Sequence, residues 1–127
     1  MILVDTSAWI DFFRGRAPLA ARVDALLEDD EVATCGPILT ELRRGLRGQA
    51  ERRRVLPLLL ACHALPQPPD LWETAGDLGF ATRRRGATIK TLDLLIATWA
   101  LGAGVPILTA DADFATLRRA GVPIELA

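Results

Sequence analysis

Four acids carry the chemistry open to this chain: Asp5, Glu41, Asp93 and Asp111. Each stands at the border of an apolar segment. Asp5 ends the run Ile2-Leu3-Val4, and Glu41 lies three residues after Ile38 and one before Leu42. Asp93 falls in the first turn of an apolar helix beginning near Leu92, and Asp111 follows Ile107-Leu108 across Thr109-Ala110. Each has a harmless explanation alone. Asp5 reads equally well as a turn acid or a catalytic one, Glu41 could pair with an arginine, and Asp93 and Asp111 could be helix-start residues. As a group they are harder to dismiss. Two carboxylates roughly 5 Å apart repel by about 3 kcal/mol at an effective dielectric near 20, and a divalent cation removes that cost. An all-oxygen ligand set suits Mg²⁺ or Mn²⁺, and the lack of a nearby histidine or cysteine argues against zinc.

The elements that must position these acids follow from local pattern. A short β-branched run such as Ile2-Leu3-Val4 predicts a buried strand of a parallel sheet. Ser7 to Arg14 reads as a helix that Thr6 or Ser7 could cap, and Pro18 opens a second helix through Leu27. A short strand over 31–35 leads to a helix from about Pro37 to Arg47, with Ile38, Leu42 and Leu46 as its buried stripe. The next helix, around Ala50 to Ala61, is expected to be strained or split at Pro57. Cys62 to Leu65 reads as a third strand, and Asp70 to Arg85 as a helix weakened by Gly76 and Gly79. In the helix from Leu92 to Leu101, a stripe of Leu92, Leu95, Ile96, Trp99 and Ala103 is expected to face the core. Val105 to Thr109 is the fourth strand, Asp111 to Arg119 a last helix, and Val122 to Leu126 a short edge strand. Strands alternating with helices predict an α/β fold, a three-layer α/β/α sandwich with a mainly parallel sheet of four to five strands. If strands one and four are neighbours, Asp5 and Asp111 emerge at one edge, where open α/β sheets collect their chemistry.

Composition narrows the rest. The 127 residues form one expected domain, residues 1–127, and 50% of them are hydrophobic, so wholesale disorder is excluded. A formal charge of -1 announces no nucleic-acid partner, but the cations are nearly all arginines and many are clustered, at 43–44, 52–54, 83–85 and 118–119. Each cluster is first a solvated helix face; arginine is also the residue suited to bidentate phosphate contact. Cys35 and Cys62 are too few and too distant for a disulfide framework. They are expected as reduced core thiols of a cytoplasmic protein. No signal peptide or membrane span is expected. His63 reads as surface or structural, Trp72 and Trp99 as core, and Trp9, Phe12 and Phe13 as mostly core, with some of that helix free to sit in a partner groove.

Taken in order, Ile2-Leu3-Val4-Asp5-Thr6-Ser7, Ile38-Leu39-Thr40-Glu41-Leu42, Leu92-Asp93-Leu94-Leu95-Ile96-Ala97 and Leu108-Thr109-Ala110-Asp111-Ala112-Asp113-Phe114 resemble the PIN-domain family, and within it the VapC-type toxins of bacterial toxin–antitoxin pairs. The resemblance covers essentially the whole chain. It implies an endoribonuclease that uses Mg²⁺ or Mn²⁺ to cleave single-stranded regions of RNA. It carries metal-binding and catalytic roles onto Asp5, Glu41, Asp93 and Asp111, with Thr6, Thr109 and Asp113 as accessory positions. It further implies a homodimer and neutralisation by a VapB-type antitoxin whose tail lies across the site. The expected reaction is hydrolysis by a metal-activated water that leaves a 5′-phosphate and a 3′-hydroxyl. Asp5, Asp93 and Asp111 would hold the metal, while Glu41 orients the water or holds a second ion. Arg43, Arg44, Arg83, Arg84, Arg85 and Lys90 are candidate RNA contacts, betrayed by a steep salt dependence if they grip phosphate. Three other readings compete with this one. One is a catalytically silent PIN-like module that only binds RNA or protein. Another is a haloacid-dehalogenase-like phosphatase, which wants an acid where Ser7 stands. The third is a receiver domain, whose mid-chain phosphorylated aspartate has no counterpart after Leu65.

Overall fold

The computed structural model describes all residues, 1–127. Four short parallel strands run through its centre: β1 (Ile2–Val4), β2 (Val32–Thr34), β3 (His63–Ala64) and β4 (Ile107–Leu108). Their spatial order is β3-β2-β1-β4. The first crossover carries α1 (Thr6–Phe13) and α2 (Leu19–Glu28), and the second carries α3 (Gly36–Gly45) and α4 (Gln49–Ala61). The third carries α5 (Leu71–Arg84) and α6 (Thr91–Ala103), and α7 (Ala112–Arg119) follows β4. Helices flank the sheet as the α/β/α pattern requires. The expected fifth strand is reduced to one parallel bridge between Ile107 and Leu126.

The strand order explains where a site must lie. The chain steps from β1 outward to β2 and β3, then returns to place β4 on the other side of β1. This reversal opens a crevice beyond the carboxyl ends of β1 and β4, the place where open α/β sheets bind their ligands. The pairing Leu3↔Ile107 and Val4↔Leu108 sets Thr109, not Asp111, directly beside Asp5. Asp111 reaches the same edge two residues later, as the cap of α7.

Burial sustains this frame. Leu3, Val4, Ile107 and Leu108 are buried in the sheet, and Trp9, Ile38, Leu59, Leu71, Ile96 and Phe114 close over it. Residues 93 to 100 of α6 are all buried, because α3, α5 and α7 pack against that helix. The expected stripe is therefore wrong at both ends: Leu92 is 41% exposed and Ala103 is exposed. Trp99 is in the core as expected, its indole N–H donating to the Leu65 carbonyl at 3.2 Å. Trp72 is not; it is 63% exposed on the outer face of α5, where Leu71 and Ala75 supply the inward contacts. Trp9 is fully buried, Phe12 half-buried and Phe13 exposed, with Phe13 stacked on Trp9 at 5.7 Å. His63 lies at the surface, its Nε2 2.9 Å from an Asp30 carboxylate oxygen.

Two helices withstand the residues expected to weaken them. Pro57 sits inside an unbroken α4, on its exposed side, between the buried anchors Val55 and Leu59. Gly79 serves packing: a Cβ there would meet Leu94 Cδ1 at 2.8 Å, so a larger residue would have to displace the Leu94 methyl where α5 lies against α6. No helix is long and apolar enough to cross a membrane.

Candidate metal centre

Asp5 follows β1 directly and is 4% exposed. Although it stands at the N-cap of α1, its carboxylate does not cap that helix. Neither Thr6 nor Ser7 caps it either, contrary to expectation. The Ser7 and Thr109 hydroxyls both donate to Asp5 Oδ2, at 2.8 and 2.9 Å. Thr109 Oγ1 in turn accepts the Asp111 N–H at 2.9 Å, and Ser7 Oγ accepts the Ala110 N–H at 2.9 Å. The end of β1 is thus tied to the loop after β4 through two hydroxyls.

Asp111 caps α7 through Oδ1, which accepts the Asp113 N–H at 2.9 Å. Asp93 lies in the first turn of α6. One carboxylate oxygen from each of Asp93, Asp111 and Asp113 lies within 4.8 Å of the others. Two helix N-termini therefore point partial positive charge at this cluster, which eases the crowding of three acids. It does not remove it. Asp93 is 7% exposed, and its Oδ2 is buried without a hydrogen-bond partner. Burial pushes the Asp93 carboxyl up to about 7; Asp111, Asp5 and Asp113 push the same way, while Lys90 opposes them. A buried carboxylate oxygen with no donor is costly, and one facing three more acids doubly so. A hard cation satisfies both deficits. The donor set fits Mg²⁺ or Mn²⁺: all oxygens, several charged, no soft ligand.

Glu41 stands apart from that cluster. Its Oε1 accepts the Thr6 hydroxyl at 2.9 Å, so it joins Asp5 through the first residue of α1. The buried Cys35 thiol lies within the field of both Asp5 and Glu41. Chiefly through its own burial, and with those two carboxylates adding, that thiol is pushed up to about 12, so it is no nucleophile. The structure accordingly clusters Asp93, Asp111 and Asp113, ties Asp5 to the loop before Asp111 through Ser7 and Thr109, and joins Glu41 to Thr6, the residue after Asp5. Asp113, weighed only as accessory in the sequence, is a full member of the tightest cluster. Ser7, a candidate helix cap in the sequence, is instead a partner of Asp5. Its one signal was the two-residue spacing that lets a serine hydroxyl reach back to an aspartate.

The basic candidates divide. Arg43, Arg44, Arg83 and Lys90 are exposed, and Lys90 directly precedes α6, close enough for its charge to reach Asp93. Arg84 lies over the Phe80 ring at 5.7 Å. Arg85 has a structural partner: its Nη1 donates to the Ala120 carbonyl at the C-terminus of α7, at 2.7 Å. A groove of about 570 Å³ opens beside the acids, sharing Thr6 and Glu41 with them and lined further by Ile10, Phe13, Arg14 and Arg54.

Residues 2–120 match the family described as PIN domain. The chain is 33% identical to ribonuclease VapC11 of Mycobacterium tuberculosis over 124 residues, covering 94% of this chain and 92% of that one. Its fold is similar to that in the crystal structure of VapBC2 from Rickettsia felis bound to a promoter DNA fragment, with a TM-score of 0.76 and 19% identity, covering 100% and 98% of the two chains. It is equally similar to a toxin–antitoxin complex from Klebsiella pneumoniae, with a TM-score of 0.76 and 22% identity over 100% and 97%.

Proposed function

The chain belongs to the PIN-domain family, and from that premise we propose that it is a VapC-type endoribonuclease, the toxin of a toxin–antitoxin pair, cleaving single-stranded regions of RNA. The observation that carries this assignment is the Asp93 carboxylate, with Oδ2 buried and unpartnered, clustered with Asp111 and Asp113 and within the field of Asp5.

Asp5, Asp93 and Asp111 are the residues that would hold Mg²⁺ or Mn²⁺, with Asp113 beside them. Such an ion, when bound, supplies Lewis acidity toward the phosphate and lowers the pKa of a water. The chain's own groups do the rest. Ser7 and Thr109 fix the Asp5 carboxylate by holding Oδ2, which leaves Oδ1 for a ligand. Thr6 fixes Glu41 by Oε1, so the other oxygen can orient a water or take its proton. Lys90 offers positive charge to a phosphate at the rim, with Arg43, Arg44, Arg83 and Arg84 available for flanking phosphates. Arg85 is exposed and gives Nη1 to the Ala120 carbonyl, which leaves its other N–H groups for phosphate.

The partner surface follows from the groove. Exposed Ile10 and Phe13 offer an apolar floor, and Thr6 and Glu41 lead from it to the acids. A VapB-type antitoxin tail lying in this groove would cover the site, and a homodimer is the expected assembly. With RNA as its substrate, the enzyme would act in the cytoplasm. Sequencing RNA ends after a short pulse of expression tests the assignment. Wild type should create discrete new 5′-phosphate ends that Asp93→Asn does not. Tight RNA binding with no new ends would favour a silent PIN-like binding module instead.

A further inference from the structure

We propose that Ser7 is a positioning residue for the metal centre, setting both the orientation of Asp5 and its distance from Asp111; this rests on the proposed metal-dependent nuclease. Ser7 is in the first turn of α1, partly buried. Its Oγ touches three groups: Asp5 Oδ2 at 2.8 Å, the Ala110 N–H at 2.9 Å and Thr109 Oγ1 at 3.1 Å. A serine hydroxyl has one proton and two lone pairs. The carboxylate oxygen is the strongest acceptor within reach and the shortest contact, so the proton goes to Asp5. The Ala110 N–H occupies a lone pair. Thr109 divides its hydroxyl in the same way, donating to Asp5 Oδ2 and accepting the Asp111 N–H. The 3.1 Å contact between the two hydroxyls is then enforced by their shared acceptor.

The consequence is geometric. With two O–H donors converging on it, Asp5 Oδ2 is held by a pair of bonds, which restricts rotation of the carboxylate and keeps Oδ1 on one heading. Thr109 alone would leave the carboxylate free to swing about a single contact. Ser7 also links α1 to the peptide of Ala110, the residue before Asp111. The same hydroxyl thus sets two ligands from opposite sides of the crevice. Because α1 begins at residue 6, directly after Asp5, no other hydroxyl of that helix is placed to do this; Thr6 is committed to Glu41.

Calorimetric titration of the purified protein with Mn²⁺ tests the role without depending on turnover. Wild type, Ser7→Ala, Ser7→Thr and Asp93→Asn are compared, with thermal unfolding of each metal-free protein as the folding control. Ser7→Ala is expected to unfold within a few degrees of wild type yet bind Mn²⁺ about 10- to 100-fold more weakly. Ser7→Thr, which keeps the hydroxyl, should recover most of the affinity. Equal Mn²⁺ affinity in wild type and Ser7→Ala overturns the role of Ser7 while leaving the metal centre standing. Equal losses in Ser7→Ala and Ser7→Thr also overturn it, because the hydroxyl would not be the cause. Absence of Mn²⁺ uptake by wild type, or undiminished uptake by Asp93→Asn, would refute the metal centre itself and the positioning role with it.

Discussion

Thr6 Oγ1 donates to Glu41 Oε1 at 2.9 Å, joining the first residue of α1 to the middle of α3 across 35 positions of sequence. This bond links Glu41 to the residue after Asp5, whereas Asp93, Asp111 and Asp113 cluster without Glu41. Thr6→Val should therefore slow RNA cleavage by roughly 10- to 100-fold, the value of a hydrogen bond to a charged group. Mn²⁺ affinity should hardly change, and Thr6→Ser should cleave nearly as well as wild type. Single-turnover rates on a labelled RNA, alongside Mn²⁺ titration, separate the two effects.

The Asp93 carboxyl gives a pH dependence with a definite sign. Its pKa rises from 3.8 to about 7 on folding, through burial first and the neighbouring carboxylates second. Between those values the native state binds a proton that the unfolded chain does not, so the metal-free protein loses stability as pH rises through this window. Asp93→Asn removes the penalty. At pH 8 the metal-free variant should be more stable than wild type by about 1–3 kcal/mol, and less different near pH 4. A divalent cation must displace that same proton below pH 7, so its affinity should fall about tenfold per pH unit there. Denaturant unfolding from pH 4 to 8 checks the first point, and calorimetry the second.

Gly121 is tied to the placement of the α5–α6 loop. Its φ is +95°, and a Cβ there would collide with the Arg85 guanidinium. Gly121→Ala should cost about 1–3 kcal/mol by backbone strain and by displacing the Arg85 bond to Ala120. In an Arg85→Ala background the same substitution should cost less, since only the strain remains. A double-mutant cycle by urea denaturation measures the difference.

Phe13 separates partner binding from catalysis. It floors the groove but stands outside the acid cluster. Phe13→Glu should weaken binding of a cognate antitoxin by at least about tenfold, as loss of an aromatic anchor does, while RNA cleavage stays near wild type. Inhibition curves with the antitoxin give both numbers in one assay.

The sequence disclosed the elements more readily than their order. Ile2-Leu3-Val4 ahead of Asp5 reads as a strand delivering an acid, because β-branched apolar runs have few alternatives, and β1 ends at Val4. Asp111 reads as a helix start, and it is the cap of α7. Register is a tertiary property, however. Only the pairing of β1 with β4 shows that Thr109 rather than Asp111 stands beside Asp5. Ser7 was missed for the same reason, since its main partners lie more than a hundred residues away except for Asp5. Leu92, Trp72 and Pro57 mislead because periodicity and propensity are local, whereas burial depends on which helices pack around a segment. Arg85 looks like its neighbours Arg83 and Arg84 in sequence; only the position of Ala120 gives it a backbone partner.

We propose that the acids at the β1/β4 crevice are gathered to hold one hard cation. Anomalous diffraction from crystals grown with Mn²⁺ tests it most directly. The expected result is a peak about 2.0–2.2 Å from Asp93 Oδ2, with ligands also from Asp5 and Asp111. A protein that binds Mn²⁺ only at other surfaces, with Asp93 Oδ2 still unpartnered, would contradict the account.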